Sequence, residues 1–472
     1  MEKLAREGVI LDSSYVQHVC TPSRAAFLTG YYPFHLGLQH DVIRLLQPSF
    51  LPNQFPLLPE KLQRLGYSTH IVGKWHLGFC DWNHTPTRRG FDSFYGFYSG
   101  YEDYYSRMQG DGYDFRFNES VWFPPEGEYS TNIFARRAVD IIESNNPQQT
   151  PLFLYLPFQS VHSPIQVPPK YEDMYLDIED LSRRRYSGMV TAMDDAIGQV
   201  TRALEDNGYM DNLIIVFTTD NGGSQVYGAN NLPLRGAKTT LWEGGTRGIS
   251  FVYSKTLLEE KGYVNKNMFH IVDWHPTLLA AIGAEEEIDP EIDGINQWPT
   301  ISQNAPTNRT EFVYNIDDRR RNAAIRVGDY KLIEGVPGIY NTWYGLAHES
   351  TSPDVEVQTN ELNSEKSLKS GNKTAPDKPK PKPKPKPEDK ERISFMEKTK
   401  KILQLVLKPQ LFNLQDDPEE RVNLANDRPD LVRQLQRRLD KYRKSMVRSF
   451  DPPDDHSGLP RHFNDIWSPG WC

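Results

Sequence analysis

Cysteine is scarce in this chain. Only Cys20, Cys80 and Cys472 occur among 472 residues, so no dense disulfide framework can be what stabilises it. An excess of positive charge is lacking too: 54 lysines and arginines against 63 aspartates and glutamates leave a formal charge of −9, which argues against a nucleic-acid partner. No apolar run approaches the roughly 20 residues of a membrane-spanning helix, so no membrane span is expected. Met1-Glu2-Lys3-Leu4 is not followed by the apolar stretch of a secretory signal. The beginning therefore reads either as cytosolic or as missing an upstream part. What is present is core material, 38% hydrophobic and 12% aromatic. At about 150 residues per domain, the length allows two or three domains or one large α/β unit with an appendage.

The most informative stretch is Cys20-Thr21-Pro22-Ser23-Arg24-Ala25-Ala26-Phe27-Leu28-Thr29-Gly30. It reads as a nucleophile at the start of a helix, with Thr21 able to cap, Pro22 suited to the first helical position and Gly30 a stop. Amides without partners and the positive end of the helix dipole would surround Cys20, a setting that favours an anionic substrate or an ionised nucleophile. Arg24 follows about one turn later, so its guanidinium can return to the same mouth. A lone cysteine before a helix is usually structural; the whole string weighs against that. A tyrosine-phosphatase loop needs a longer spacer between cysteine and arginine than the three residues found here.

The rest of the chain alternates strand and helix signals. After a helical lead over residues 2–7 and a strand from Gly8, a helix is predicted at 60–65 and a strand at 67–73. That strand delivers Lys74-Trp75-His76 at its carboxyl end. Residues 91–105, aromatic and glycine-rich, read as loop and substrate-side surface. Further helices are predicted at 132–143, 186–204 and 270–282, the last with Pro276 kinking it or in its early turns. Continuous apolar runs at 151–156 and 213–219 read as strands buried on both faces of a parallel sheet; another strand is expected at 249–253. The expected fold class is α/β, a mainly parallel central sheet flanked by helices, with a smaller C-terminal subdomain containing an antiparallel sheet. The division is placed at 1–310 and 311–472. Residues 350–392, with a Pro-Lys repeat, read as an extended, solvated insertion. A basic amphipathic helix is expected at 429–446, and the tail around Trp467 and Trp471 should pack back on the body.

Ligands in open α/β sheets sit at the carboxyl ends of strands. Three such ends carry polar clusters: Lys74 with His76, His162, and Asp220 with Asn221. Each alone has an ordinary reading as a surface, packed or turn residue. Together they collect beside Cys20.

The Cys20 string resembles the sulfatase signature C-x-P-S-R-x-x-x-L-T-G, and Gly66 to Gly78, with Gly73-Lys74-Trp75-His76-Leu77-Gly78, resembles the family's second signature. The similarity extends over nearly the whole chain outside the Pro-Lys insertion and is to the arylsulfatases B, I and J. It implies an alkaline-phosphatase-like fold and a sulfuric ester hydrolase acting on an aryl sulfate or a sulfated glycan such as N-acetylgalactosamine 4-sulfate. It further implies that a formylglycine-generating enzyme oxidises Cys20 to formylglycine, the nucleophile and one metal ligand. Arg24 would hold the hydrated aldehyde, Lys74 and His76 would neutralise and position it, and His162 and Lys238 would grip the sulfate. Asp220 and Asn221 would bind Ca²⁺, with Mg²⁺ as the alternative. With Cys20 consumed, Cys80 and Cys472 are left as the pair available for a disulfide. Asn83, Asn118, Asn308 and Asn372 head glycosylation tripeptides, compatible with a secreted or lysosomal protein if an upstream segment carries a signal.

One departure stands out. Relatives begin with a strand ending in paired aspartates, and nothing before Cys20 matches: Asp12 stands alone, and Asp194-Asp195 sits in a predicted helix, where a solvated face is the expectation. With those carboxylates absent, Ca²⁺ should bind weakly, and the alternative is a catalytically impaired sulfatase-like chain or one lacking its beginning. A phosphatase or phosphodiesterase of the same superfamily is disfavoured because Cys20 stands where such enzymes carry Ser or Thr.

Overall fold

The computed structural model describes residues 1–343 and 408–472. Contacts divide the chain into one unit, Met1–Tyr344 with Pro409–Cys472, and another, Gly345–Lys408. The expected insertion at 350–392 and the acceptor Asn372 lie outside the described residues.

In chain order the elements that frame the site are β1 (Val9–Leu11), α1 (Cys20–Thr29), β2 (Ser68–Lys74), β3 (Ser93–Phe97), β4 (Arg116–Phe117), β5 (Ser120–Val121), α2 (Ser130–Ser144), β6 (Leu152–Tyr155), α3 (Leu181–Asp206), β7 (Ile215–Thr218), β8 (Ser250–Tyr253) and β9 (Tyr263–Asn265). They form a five-stranded sheet, β5-β4-β3-β2-β6, and a four-stranded sheet, β7-β8-β1-β9. β2 runs parallel to β3 and β6, and β1 runs parallel to β9. β8 runs antiparallel to both of its neighbours. A third sheet, wholly antiparallel, is built from β10 (Glu311–Asp317), β11 (Asn322–Val327), β12 (Tyr330–Glu334) and β13 (Gln410–Asn413). Helix α4 (Pro429–Ser445) lays Val432, Leu435 and Leu439 into the core beside it.

Alternation along β6 explains how it is held: Leu152 and Leu154 pack with Ala138, Ile142 and Val200 of α2 and α3. Phe153 and Tyr155 point to the main core instead, as the two-residue period of a strand requires. The expectation of burial on both faces is corrected for β6 and β7. Their residues are half-buried, because each strand ends its sheet and has one hydrogen-bonded neighbour among the described residues. Residues 91–105 were expected as loop but contain β3, a strand between β2 and β4 whose glycine and aromatics hid its period. Pro276 falls in the first turn of the helix Trp274–Ala281, which begins four residues later than expected because Ile271–Asp273 form a 3-10 turn. The tail does return: Trp467 is buried and its Nε1 donates to the Gln109 carbonyl at 2.9 Å. Cys472 is joined to Cys80 with a Cα separation of 5.4 Å.

Candidate active site

Helix α1 starts at Cys20 itself, with Val19 as its cap, and ends at Gly30 in the left-handed conformation. Two details of the expected start are therefore corrected. Pro22 is the third helical residue, and Thr21 does not cap. Its hydroxyl instead donates to the His76 carbonyl at 2.9 Å and accepts from the Ile43 amide at 3.2 Å. The helix start is thereby tied to the end of β2, a role that no local pattern in the sequence signals.

The strand ends converge on Cys20. The Cys20 Sγ is buried, 3.4 Å from Lys238 Nζ and 3.4 Å from Asn221 Oδ1. Arg24 returns as expected, one nitrogen donating to the Lys74 carbonyl at 3.1 Å and another to Asp220 Oδ2 at 3.0 Å. His76, at the left-handed φ of 60°, donates from Nε2 to the Ile43 carbonyl at 3.1 Å. His162 directs Nδ1 to the Ser163 carbonyl at 2.8 Å. Asn221 donates from Nδ2 to the Gly222 carbonyl at 2.9 Å. Gly222 must be glycine, since a Cβ there would stand 1.8 Å from the Gly244 carbonyl oxygen. Cys20, His76, His162 and Lys238 line a cavity of about 370 Å³.

Three cations, Arg24, Lys74 and Lys238, thus surround one thiol and one carboxylate, Asp220. Burial works against a Cys20 thiolate, yet Lys238 and Lys74, helped by His162 and His76, outweigh it and hold the thiol well below its usual range. Burial lowers Lys74 to about 8 and His76 to about 4. It lowers His162 as well, against the pull of Cys20. Lys238 moves up: burial opposes its charge, but Cys20 and then Asp220 more than compensate. A cavity with surplus buried positive charge and hydrogen-bond donors is suited to a small anion bearing several oxygens.

The donor set does not fit a calcium ion. Ca²⁺ takes six to eight oxygen ligands. Here the expected oxygen ligands beside Cys20 are Asp220 and Asn221, and one Asp220 oxygen is engaged by Arg24. No group of three or more His, Cys, Asp or Glu arranged for a metal occurs among the described residues. Asp194 and Asp195 lie on the exposed side of α3, where Asp195 accepts from the Tyr171 hydroxyl at 2.9 Å. Of the glycosylation acceptors, Asn83 and Asn308 are exposed, whereas Asn118 is half-buried and holds the Phe94 amide at 3.0 Å.

Comparison with known proteins adds the following. The family described as Sulfatase matches residues 1–284. Arylsulfatase J of Mus musculus is 39% identical over 493 residues, covering 99% of this chain and 75% of that protein. N-acetylgalactosamine-6-sulfatase of Rattus norvegicus is 30% identical over 353 residues, covering 70% of this chain and 65% of that protein. Among solved structures, that of Ps i-CgsB in complex with k-i-k-neocarrahexaose is similar with a TM-score of 0.74 at 23% identity, over 98% of this chain and 91% of that one, a likeness of fold.

Proposed function

The chain belongs to the sulfatase family, with its alkaline-phosphatase-like fold and sulfuric ester hydrolase activity. From that premise we propose that it hydrolyses sulfate esters of glycosaminoglycan sugars, such as N-acetylgalactosamine 4-sulfate, through formylglycine made from Cys20. The observation that carries the reading is the convergence of Arg24, Lys74 and Lys238, with His76 and His162, on the buried Cys20 Sγ. Residues 1–310 are read as the catalytic region and 311–472 as its C-terminal subdomain.

Formylglycine at position 20 would be held by Arg24, Lys74 and His76, and its hydrated aldehyde would supply one hydroxyl to act on sulfur and a second through which sulfate could leave without attack of water on sulfur. The chain's own residues do the rest. Arg24 and Lys74 form a positive floor under the nucleophile, and His76 positions it. In the unmodified chain the Cys20 Sγ lies 3.4 Å from Lys238 Nζ, which puts that ammonium within reach of a sulfate group at Cys20. Electrostatic stabilisation of this kind acts on charge as it develops on the transferred group and on the departing alcohol. The leaving oxygen needs a proton. His162 and Lys238, which face Cys20 across the cavity, are the two groups placed to give it.

Formylglycine-generating enzyme is the partner this reading requires, and it places the protein on the secretory route, secreted or lysosomal. The Cys80–Cys472 bond supports an oxidising compartment. The test is mass spectrometry of the Cys20 peptide after co-expression with that enzyme, together with turnover of an aryl sulfate. Conversion with turnover is expected; conversion without any turnover overturns the reading. A second reading, a catalytically impaired chain, is favoured by the shortage of oxygen donors beside Asp220. Calorimetric titration with Ca²⁺ should give only weak binding under that reading, and tight binding with normal turnover would remove it.

A further inference from the structure

The segment Ser99-Gly100-Tyr101 touches both histidines of the site. A Cβ on Gly100 would stand 2.8 Å from His76 Cε1, so a residue without a side chain is what lets the backbone pass this close. One residue later the Tyr101 ring lies over the His162 imidazole, with centroids 5.7 Å apart and planes 17° from parallel.

Both sides of the segment are anchored. The amides of Tyr98 and Ser99 donate to the Asp114 carboxylate at 3.1 and 2.8 Å. Beyond Tyr101, the Glu102 amide donates to Gln159 Oε1 at 3.0 Å and the Gln159 amide group returns a bond to the Glu102 carbonyl at 2.7 Å. The Tyr104 hydroxyl donates to the His162 carbonyl at 2.9 Å. Tyr101 is nonetheless 40% exposed, and it lines the same cavity as Cys20 and Lys238. Phe79, Tyr98, Val42 and Ile43 also line that cavity, with Asp41, Arg44 and Gln109 among them, so its wall away from Cys20 combines aromatic and aliphatic surface with polar groups that a sugar's hydroxyls can reach. A large ring, held in place by its neighbours and left open to a cavity of mixed apolar and polar lining, is a surface prepared for another ring.

We propose that Tyr101 is a specificity-determining residue, the platform on which the apolar face of a cyclic leaving group stacks while its sulfate lies among Cys20, His162 and Lys238. The substrate class is thereby narrowed to esters of ring alcohols, pyranose or aryl, over flexible acyclic ones. The proposal rests on the sulfate-ester reading of the site and deepens it.

The test compares the full chain with Tyr101→Ala and Tyr101→Phe. Calorimetry measures affinity for a sulfated pyranose monosaccharide and for an acyclic alkyl monosulfate of the same charge; turnover of both is measured alongside. Tyr101→Ala should weaken the cyclic ester about five-fold, the usual worth of one stacked ring, and the acyclic one less than two-fold, while Tyr101→Phe stays within two-fold of the parent on both. Equal weakening on both ligands, or none on the cyclic one, overturns the proposal. If the parent chain shows the cyclic preference yet turns over neither ester, the platform stands and the hydrolase reading falls.

Discussion

Two buried charge clusters can be set side by side. Around Cys20, three cations face one carboxylate and a thiol, and the imbalance opens onto a cavity. Behind the third sheet, Lys331 is wholly buried between Glu243 and Glu420, at 2.9 and 2.8 Å. The hydroxyls of Tyr15 and Tyr314 donate to Glu243 at 2.8 Å each, and Arg326 donates to the Tyr15 hydroxyl. There Lys331 bridges two acidic groups whose oxygens are taken up by the protein itself, Glu420 Oε1 by the ion pair with Lys331 alone. A cluster whose charges and lone pairs are satisfied by the protein holds segments together. One with surplus positive charge lining a cavity is suited to binding an anion.

The comparison can be broken by experiment. The largest effect should come from Lys331→Met, which leaves two buried carboxylates without their cation and should cost about 3–5 kcal/mol in urea unfolding. A loss below about 1 kcal/mol would mean that the second cluster is not structural. Lys74→Ala should act in the opposite way, lowering turnover of the converted enzyme by about 10²–10³-fold, with a melting temperature near that of the parent. Near-normal turnover would remove Lys74 from the site. Cys472→Ser, which frees the tail from Cys80, should cost about 2–4 kcal/mol by the same unfolding measurement.

The smallest effect is in pH. Burial raises Glu420 to about 7, with Lys331 pulling it down and Glu243 pushing it up. The folded chain therefore holds this proton more tightly than the unfolded chain, whose carboxylate has its ordinary value. Stability from Glu420 grows as pH falls from about 7 towards 4.5 and is lost as pH rises through about 7, on the order of 1–3 kcal/mol. Calorimetric melting across that window should show the gain in the parent and not in Glu420→Gln; identical profiles would refute it.

Much of the site was legible before folding. The Cys20 string, the buried-strand runs that end at His162 and Asp220, and the β-branched strand ending at Lys74 each leave a pattern within a few residues. β3 was not legible, because Phe94, Tyr95 and Phe97 around Gly96 mimic an aromatic loop. Thr21 was misread for the same reason in reverse: its position fits a cap, while its hydroxyl has a better partner 55 positions away at His76. The open edges of β6 and β7 left no trace either, since an apolar run is the same whether or not a neighbour pairs with it.

By itself the sequence determined which chemical groups this protein carries and on which strand ends and helix start they stand, because periodicity, turn residues and short motifs act over neighbouring positions. Only the tertiary structure decided their charge state and their use. Lys238 is 218 positions from Cys20 and Asn221 is 201. Burial and Coulomb interactions depend on distance through space, so the low pKa of Cys20 and the fit of Tyr101 over His162 exist only once those segments have met.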